Sequence, residues 1–168
     1  MSLIEAFTFT GAESSKTITI PAGYKGLRFT GLVRSGTAST STNAGIRFNG
    51  DSGANYSGER IQSAGTGLAA TGVITQTGLN LLSVSGSTAV AGGAGALDLL
   101  IPFPDNTTFH KQMTGQTTNR AANTAAGQVV TSVGGSWLNT AAITSLTFYD
   151  IGGANFVAGS QIAVYGIT

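Results

Sequence analysis

Few residues in this sequence could carry chemistry. The only histidine, His110, sits beside Lys111, with Asp105 nearby. A protein metal site draws on three or four ligands, so one histidine and one aspartate do not make one. A serine nucleophile needs a base, and no serine lies in a G-x-S-x-G context. The carboxylates Glu5, Glu13, Asp51, Glu59, Asp98, Asp105 and Asp150 show no paired spacing, although a glycosidase pair can assemble from distant positions. Neither G-x-x-x-x-G-K-[ST] nor G-x-G-x-x-G occurs, so AGGAG at 91–95 reads as a flexible loop rather than a phosphate cradle. The stretch Asn49-Gly50-Asp51-Ser52-Gly53-Ala54-Asn55 offers oxygen ligands, but its single carboxylate favours a plain turn over a Ca²⁺ loop. Asn55-Tyr56-Ser57 and Asn106-Thr107-Thr108 match the glycosylation pattern by chance. No catalytic, cofactor-binding or metal-binding residue is assigned, and no enzyme is expected.

The sole tryptophan, Trp137, is either a core residue near the last strands or an exposed anchor for a partner or a sugar. Tyr24 and Tyr56 lie near turns and carry the same two readings.

Composition narrows the partners. The 168 residues include 25 Gly, 3 Pro and no Cys, and charged residues make up 9% at a net charge of +1. The eight basic residues are scattered and none are adjacent, which argues against nucleic acid or an anionic membrane as partner. Without cysteine there is no disulfide framework. The opening MSLIEAFTFT has no basic region before a long apolar run and does not read as a signal peptide. No apolar run approaches the roughly 18 residues of a membrane helix. So low a charge leaves two explanations: a neutral Thr/Ser surface, or a surface covered by partners.

The elements that would hold these residues are strands. Lys16 to Ile20 alternates and is closed by Pro21-Ala22-Gly23. Leu27, Phe29 and Val33 share one face, Arg28, Thr30 and Arg34 the other. Leu97, Leu99, Ile101 and Phe103 fall on one side. The pattern predicts strands over 3–10, 16–20, 26–35, 44–49, 56–63, 72–84 (one or two pieces), 96–103, 108–116, 128–138, 143–149 and 160–167. Turn clusters separate them at 35–43, 48–55 and 85–96. Asn119 to Ala126 is Ala-rich without an apolar stripe, so a short helix and a loop both fit. Eight to eleven short strands with no linker or internal repeat predict one all-β domain over 1–168, an antiparallel jelly-roll-like β-sandwich. The strands at 143–149 and 160–167 are apolar on both faces, which predicts central positions and a hairpin between them.

The run Trp137-Leu138-Asn139-Thr140-Ala141-Ala142-Ile143-Thr144-Ser145-Leu146-Thr147-Phe148, then Asn155-Phe156-Val157-Ala158-Gly159-Ser160, then Val164-Tyr165-Gly166-Ile167, resembles the C-terminal signature of a group of tailed-bacteriophage virion β-sandwich proteins. Leu97 to Pro102, Phe109 to Met113 and Tyr24 to Gly31 fit the same pattern. The resemblance covers about half of the chain and is strongest over 137–167. It implies a structural virion protein: a capsid decoration (cement) protein, a head fibre, or a tail-fibre or tail-tip domain, often trimeric. The short chain suits a decoration protein that binds the major capsid protein as a homotrimer on the capsid surface. The alternative is a receptor- or carbohydrate-binding fibre module, marked by exposed aromatics at one loop end. Residues 1–6 and the polar loop 35–43 are the contact candidates.

Overall fold

Alternating apolar and polar residues bury one face of each strand, so the sequence resolves into two stacked sheets. The computed structural model describes residues 1–124 and 127–168. Twelve strands lie among the described residues: β1 (Ser2–Thr8), β2 (Ser15–Thr19), β3 (Gly26–Val33), β4 (Ser41–Phe48), β5 (Tyr56–Ala64), β6 (Gly67–Gln76), β7 (Leu79–Ser85), β8 (Gly95–Pro102), β9 (Lys111–Arg120), β10 (Gln128–Trp137), β11 (Ser145–Asp150) and β12 (Gln161–Ile167). They form an all-β, antiparallel, jelly-roll-like sandwich in one domain. The larger sheet has eight strands in the order β1-β12-β3-β8-β9-β10-β5-β6, the smaller four in the order β2-β11-β4-β7.

The core fills the space between the sheets. Phe148 stacks on Phe156 with ring centroids 4.9 Å apart, and Phe9 and Phe29 close around them at 4.6 Å from Phe156 and 5.2 Å from Phe148. A second group joins Phe48, Tyr56 and Trp137, with Trp137 5.7 Å from Phe48. All seven rings are buried, so Trp137 and Tyr56 are core residues. Further along, the interior turns polar. Asn119 donates to the Ser83 and Ser41 hydroxyls at 2.6 and 2.9 Å, beside buried Thr117 and Thr131.

Several expectations are corrected. β11 and β12 do not form a hairpin: β11 lies between β2 and β4 in the small sheet, β12 between β1 and β3 in the large one. Residues 151–160 carry the chain across the end of the sandwich with Phe156 buried beneath them. Apolar residues on both faces mark an interior strand but not which sheet holds it. Strands number twelve rather than eight to eleven. The 72–84 run is two strands, and β6 begins earlier than expected, at Gly67; its first six residues are all exposed, so no burial alternation marks that start. β9 starts at Lys111 and runs to Arg120; its inner face is polar beyond Met113, which hides its period. Asn119 and Arg120 are therefore strand residues; Ala125 and Ala126, at the end of the stretch read as a helix or loop, lie outside the described residues. Phe103 leaves the Leu97–Ile101 face at a positive φ of 46° and is exposed.

Truncating a fully buried aromatic removes its transfer energy and leaves a void, so Phe148→Ala should lower the unfolding free energy by about 3–5 kcal/mol. Urea denaturation followed by tryptophan fluorescence measures it. Removing residues 161–168 leaves β1 and β3 with no common neighbour and should abolish the cooperative transition.

Candidate functional site

The residues singled out for chemistry do not converge. His110 is exposed in the β8–β9 loop, one residue before β9, and not inside a strand. Asp105 accepts a hydrogen bond from the Gly23 amide instead, tying this loop to the one before β3. Among the described residues no group of three or more His, Cys, Asp or Glu could hold a metal ion. Lys111 is buried, its ammonium donating to the Phe109 and Thr140 carbonyls at 3.3 and 3.0 Å, and desolvation pushes its pKa down.

The glycine-rich loop after β7 is tied down rather than flexible. The Arg34 guanidinium donates to the carbonyls of Ser87, Ala89, Val90 and Gly93 at 2.9–3.0 Å, so the loop wraps a cation with its own backbone. The contact candidates at 35–43 are held as well: the Gly36 amide donates to Asn155 and the Thr37 hydroxyl to Asp150 at 3.1 Å.

The Asn49–Asn55 loop is a turn whose polar groups are used internally. Asn49 and Gly50 both have positive φ and sit at the centre of a tight turn closed by the Asp51 amide on the Phe48 carbonyl at 2.9 Å, where the chain leaves the small sheet for the large one. The Asp51 carboxylate accepts from the Trp137 indole N–H at 2.7 Å, the Gly53 amide at 2.8 Å and the Asn55 amide at 3.0 Å. These donors hold its pKa below the usual carboxylate range, the indole bond contributing most. Asn49 spans to the segment before β11, accepting from the Thr144 and Ser145 amides and donating to the Ala142 carbonyl. The Tyr56 hydroxyl accepts from the Phe48 amide at 3.0 Å and donates to the Asp51 carbonyl at 3.1 Å. Burial pushes its pKa up to about 12.

What the fold does present is the outer face of the eight-stranded sheet. Pairing registers align side chains in rows across all eight strands. The middle row runs from Leu3 on β1 to Gly72 on β6 through Arg28, Leu100, Thr114 and Gly134. The next two rows bring Ile61, Leu32 and Val130 to the same face. These apolar side chains are exposed, set among Thr, Ser, Gln and Gly. The central charges cancel: Arg28 grips Asp98 through two bonds of 2.8 and 2.7 Å, which hold the carboxyl below its usual range. At the β6 end a groove of about 710 Å³ opens between Ile61, Ile74 and Pro102 on apolar walls and Glu59, Gln112 and Ser136 on polar ones. Its floor is low because Gly134 has no side chain; a Cβ there would meet only the Met113 carbonyl, at 3.9 Å. A smaller hollow of about 430 Å³ lies over Leu100, Asp98 and Gly115.

No protein-family model matches the chain, and no curated protein matches it. Among solved structures, the galectin LEC-6 of Caenorhabditis elegans aligns over 100% of this chain and 99% of its own at 7% identity and a TM-score of 0.35. A structure described as NanB plus Optactamide aligns over 99% of this chain and 26% of its own at 13% identity and a TM-score of 0.35. At that level of likeness neither neighbour assigns a ligand or a site here.

The strands that build this face are visible in the sequence as alternating runs, but the face itself is not. Its signal is an apolar residue on the second side of successive strands: Leu32, Leu100, Val130 and Ile61.

Two outcomes test the Asp51–Trp137–Tyr56 joint. Asp51→Ala leaves the buried indole N–H without its acceptor and should cost about 1–3 kcal/mol in urea denaturation. Tyr56 has a folded pKa of about 12 against 10.0 for the free group, so its stabilising contribution is complete below pH 10 and is lost as pH rises through 12. Burial also pushes the Tyr149 phenol up, so phenolate absorbance should show a late step that Tyr56→Phe reduces rather than removes.

Proposed function

We propose that this chain is a non-catalytic structural protein that lies by the outer face of its eight-stranded sheet against another protein. The observation that carries the reading is this face's combination of exposed apolar side chains with central charges that neutralise each other. With strands about 4.8 Å apart and residues about 3.4 Å apart, the three rows across eight strands, with their flanks, cover roughly 700 Å². A standard protein interface buries about 800 Å² per partner, so the face is of the right order for one docking event.

The resemblance of residues 137–167 to tailed-phage virion proteins supplies the partner class, the major capsid protein of an assembled head. Such a protein works mechanically. Its contacts exist only on the finished shell, so binding stabilises that state by mass action. Because Arg28 and Asp98 satisfy each other, attachment draws on apolar burial more than on charge and should change little between low and high salt.

A second reading has its own observation. The β8–β9 loop leaves the groove at Pro102 and returns to it at Gln112, and it carries exposed Phe103 and Phe109. Aromatics beside a polar groove suit a carbohydrate- or receptor-binding module.

Immunogold labelling of virions of the encoding phage separates the two. Label over the head supports decoration, and Leu100→Asp with Leu32→Asp should then strip the protein from heads while leaving it folded. Label on fibres, with glycan binding lost in Phe109→Ala, supports the second reading. No label on any virion overturns both.

A further inference from the structure

The sandwich has four edge strands, and they are not treated alike. β1 is bulged between Leu3 and Glu5, and Glu5 reaches Lys16 on β2 at 2.6 Å, so the edges at that side both carry a charge. β7 is buried almost throughout and is bridged at Ser85 by Arg34. Charges, bulges and burial are the devices by which proteins stop a sheet edge from recruiting another strand. β6 has none of them along its outer part. Its ten residues, GLAATGVITQ, contain no charge and no proline, and eight of the ten are exposed. Its irregularity is confined to the far end, where the register shifts opposite Tyr56–Gly58 and Thr75 has a positive φ. From Leu68 to Ile74 it is an uninterrupted strand with a free row of amides and carbonyls.

We propose that β6 pairs with β6 of a second copy of this chain, antiparallel about a two-fold axis through Thr71. The occupant is argued from the strand's own pattern. Centred on Thr71, Leu68 of one copy faces Ile74 of the other on the outer side, Ala69 faces Val73 on the inner side, and Ala70 faces Gly72. The two largest exposed apolar side chains of the strand, at 76% and 73% exposure, thus cover each other. Every pair joins two odd or two even positions, so faces match and each outward-pointing amide meets an outward-pointing partner. A strand that meets itself must also avoid like charges, and this one has none; the nearest cation, Arg60, is tied to Asn43 at 2.8 Å. An isologous contact of this kind closes on itself and stops at two copies. Seven paired residues span about 24 Å of edge, less than a standard interface, so the dimer is weak and concentration-dependent. The inference does not rest on capsid binding. It also differs from the trimer implied by the resemblance, which would need β6 to meet a different edge.

Sedimentation of the full chain from about 1 µM to about 1 mM should show a monomer–dimer equilibrium. Leu68→Lys or Ile74→Glu, both on exposed positions, should each weaken it by about tenfold or more, with circular dichroism unchanged. Mixing the two variants should restore association, because each heterodimer places the introduced lysine opposite the introduced glutamate and leaves one Leu–Ile pair intact. Amide exchange over 68–74 should slow with concentration in the parent protein alone. A monomer throughout the range, a trimer, a dimer indifferent to both substitutions, or two variants that fail to rescue each other would each overturn the proposal.

Discussion

A four-stranded sheet can cover only part of an eight-stranded one, and much of this structure follows from that mismatch in width. β7 packs beneath β8, β9, β10 and β5, and beyond it the large sheet continues as β6, of which Val73 still packs against the core while most of the strand is exposed. The aromatic seam therefore lies under the covered portion, where Phe9, Phe29, Phe148 and Phe156 bridge the two layers. The uncovered portion is built from Gly, Ala and Thr with a few large apolar residues. Burial decides side-chain size on one side of the boundary, and solubility decides it on the other.

The same mismatch separates what holds the protein together from what it offers to others. The small sheet and its loops are tied by groups used up internally: Asp51 on the Trp137 indole, Asn49 on the segment before β11, Arg34 inside the loop after β7. None of these polar groups is available to a ligand. The large sheet's outer face has the opposite character, broad and lightly charged, and its side chains make few contacts of their own.

The sequence discloses the strands wherever a buried face imposes alternation. Leu97, Leu99 and Ile101, or Ile18 and Ile20, announce themselves because one side of each strand meets the core. Legibility fails where that asymmetry is lost. β6 is exposed over its first six residues, with Val73 and Gln76 only half-buried beyond them, β9 carries polar Thr117 and Asn119 on its buried face, and β11 is apolar on both sides because Tyr149 lies under Arg47 on the outer surface, 4.2 Å from its guanidinium. Assigning β11 and β12 to different sheets needs knowledge of how residues 151–160 cross the sandwich, and only the burial of Phe156 gives it. The candidate site was legible residue by residue but not as a surface, because the register that aligns Leu3, Arg28 and Leu100 joins strands far apart in the chain.

That register has a consequence in time as well as in space. β1's single partner in the sheet is β12, so residues 2–8 must wait for residues 161–167 before they can pair. Closing so long a loop comes late and slowly, as in other proteins dominated by non-local strand pairing. A chain emerging from the ribosome leaves residues 2–8 without their sheet partner until residues 161–167 have been made. The order of translation, rather than the strength of any one contact, thus sets when β1 can enter the large sheet.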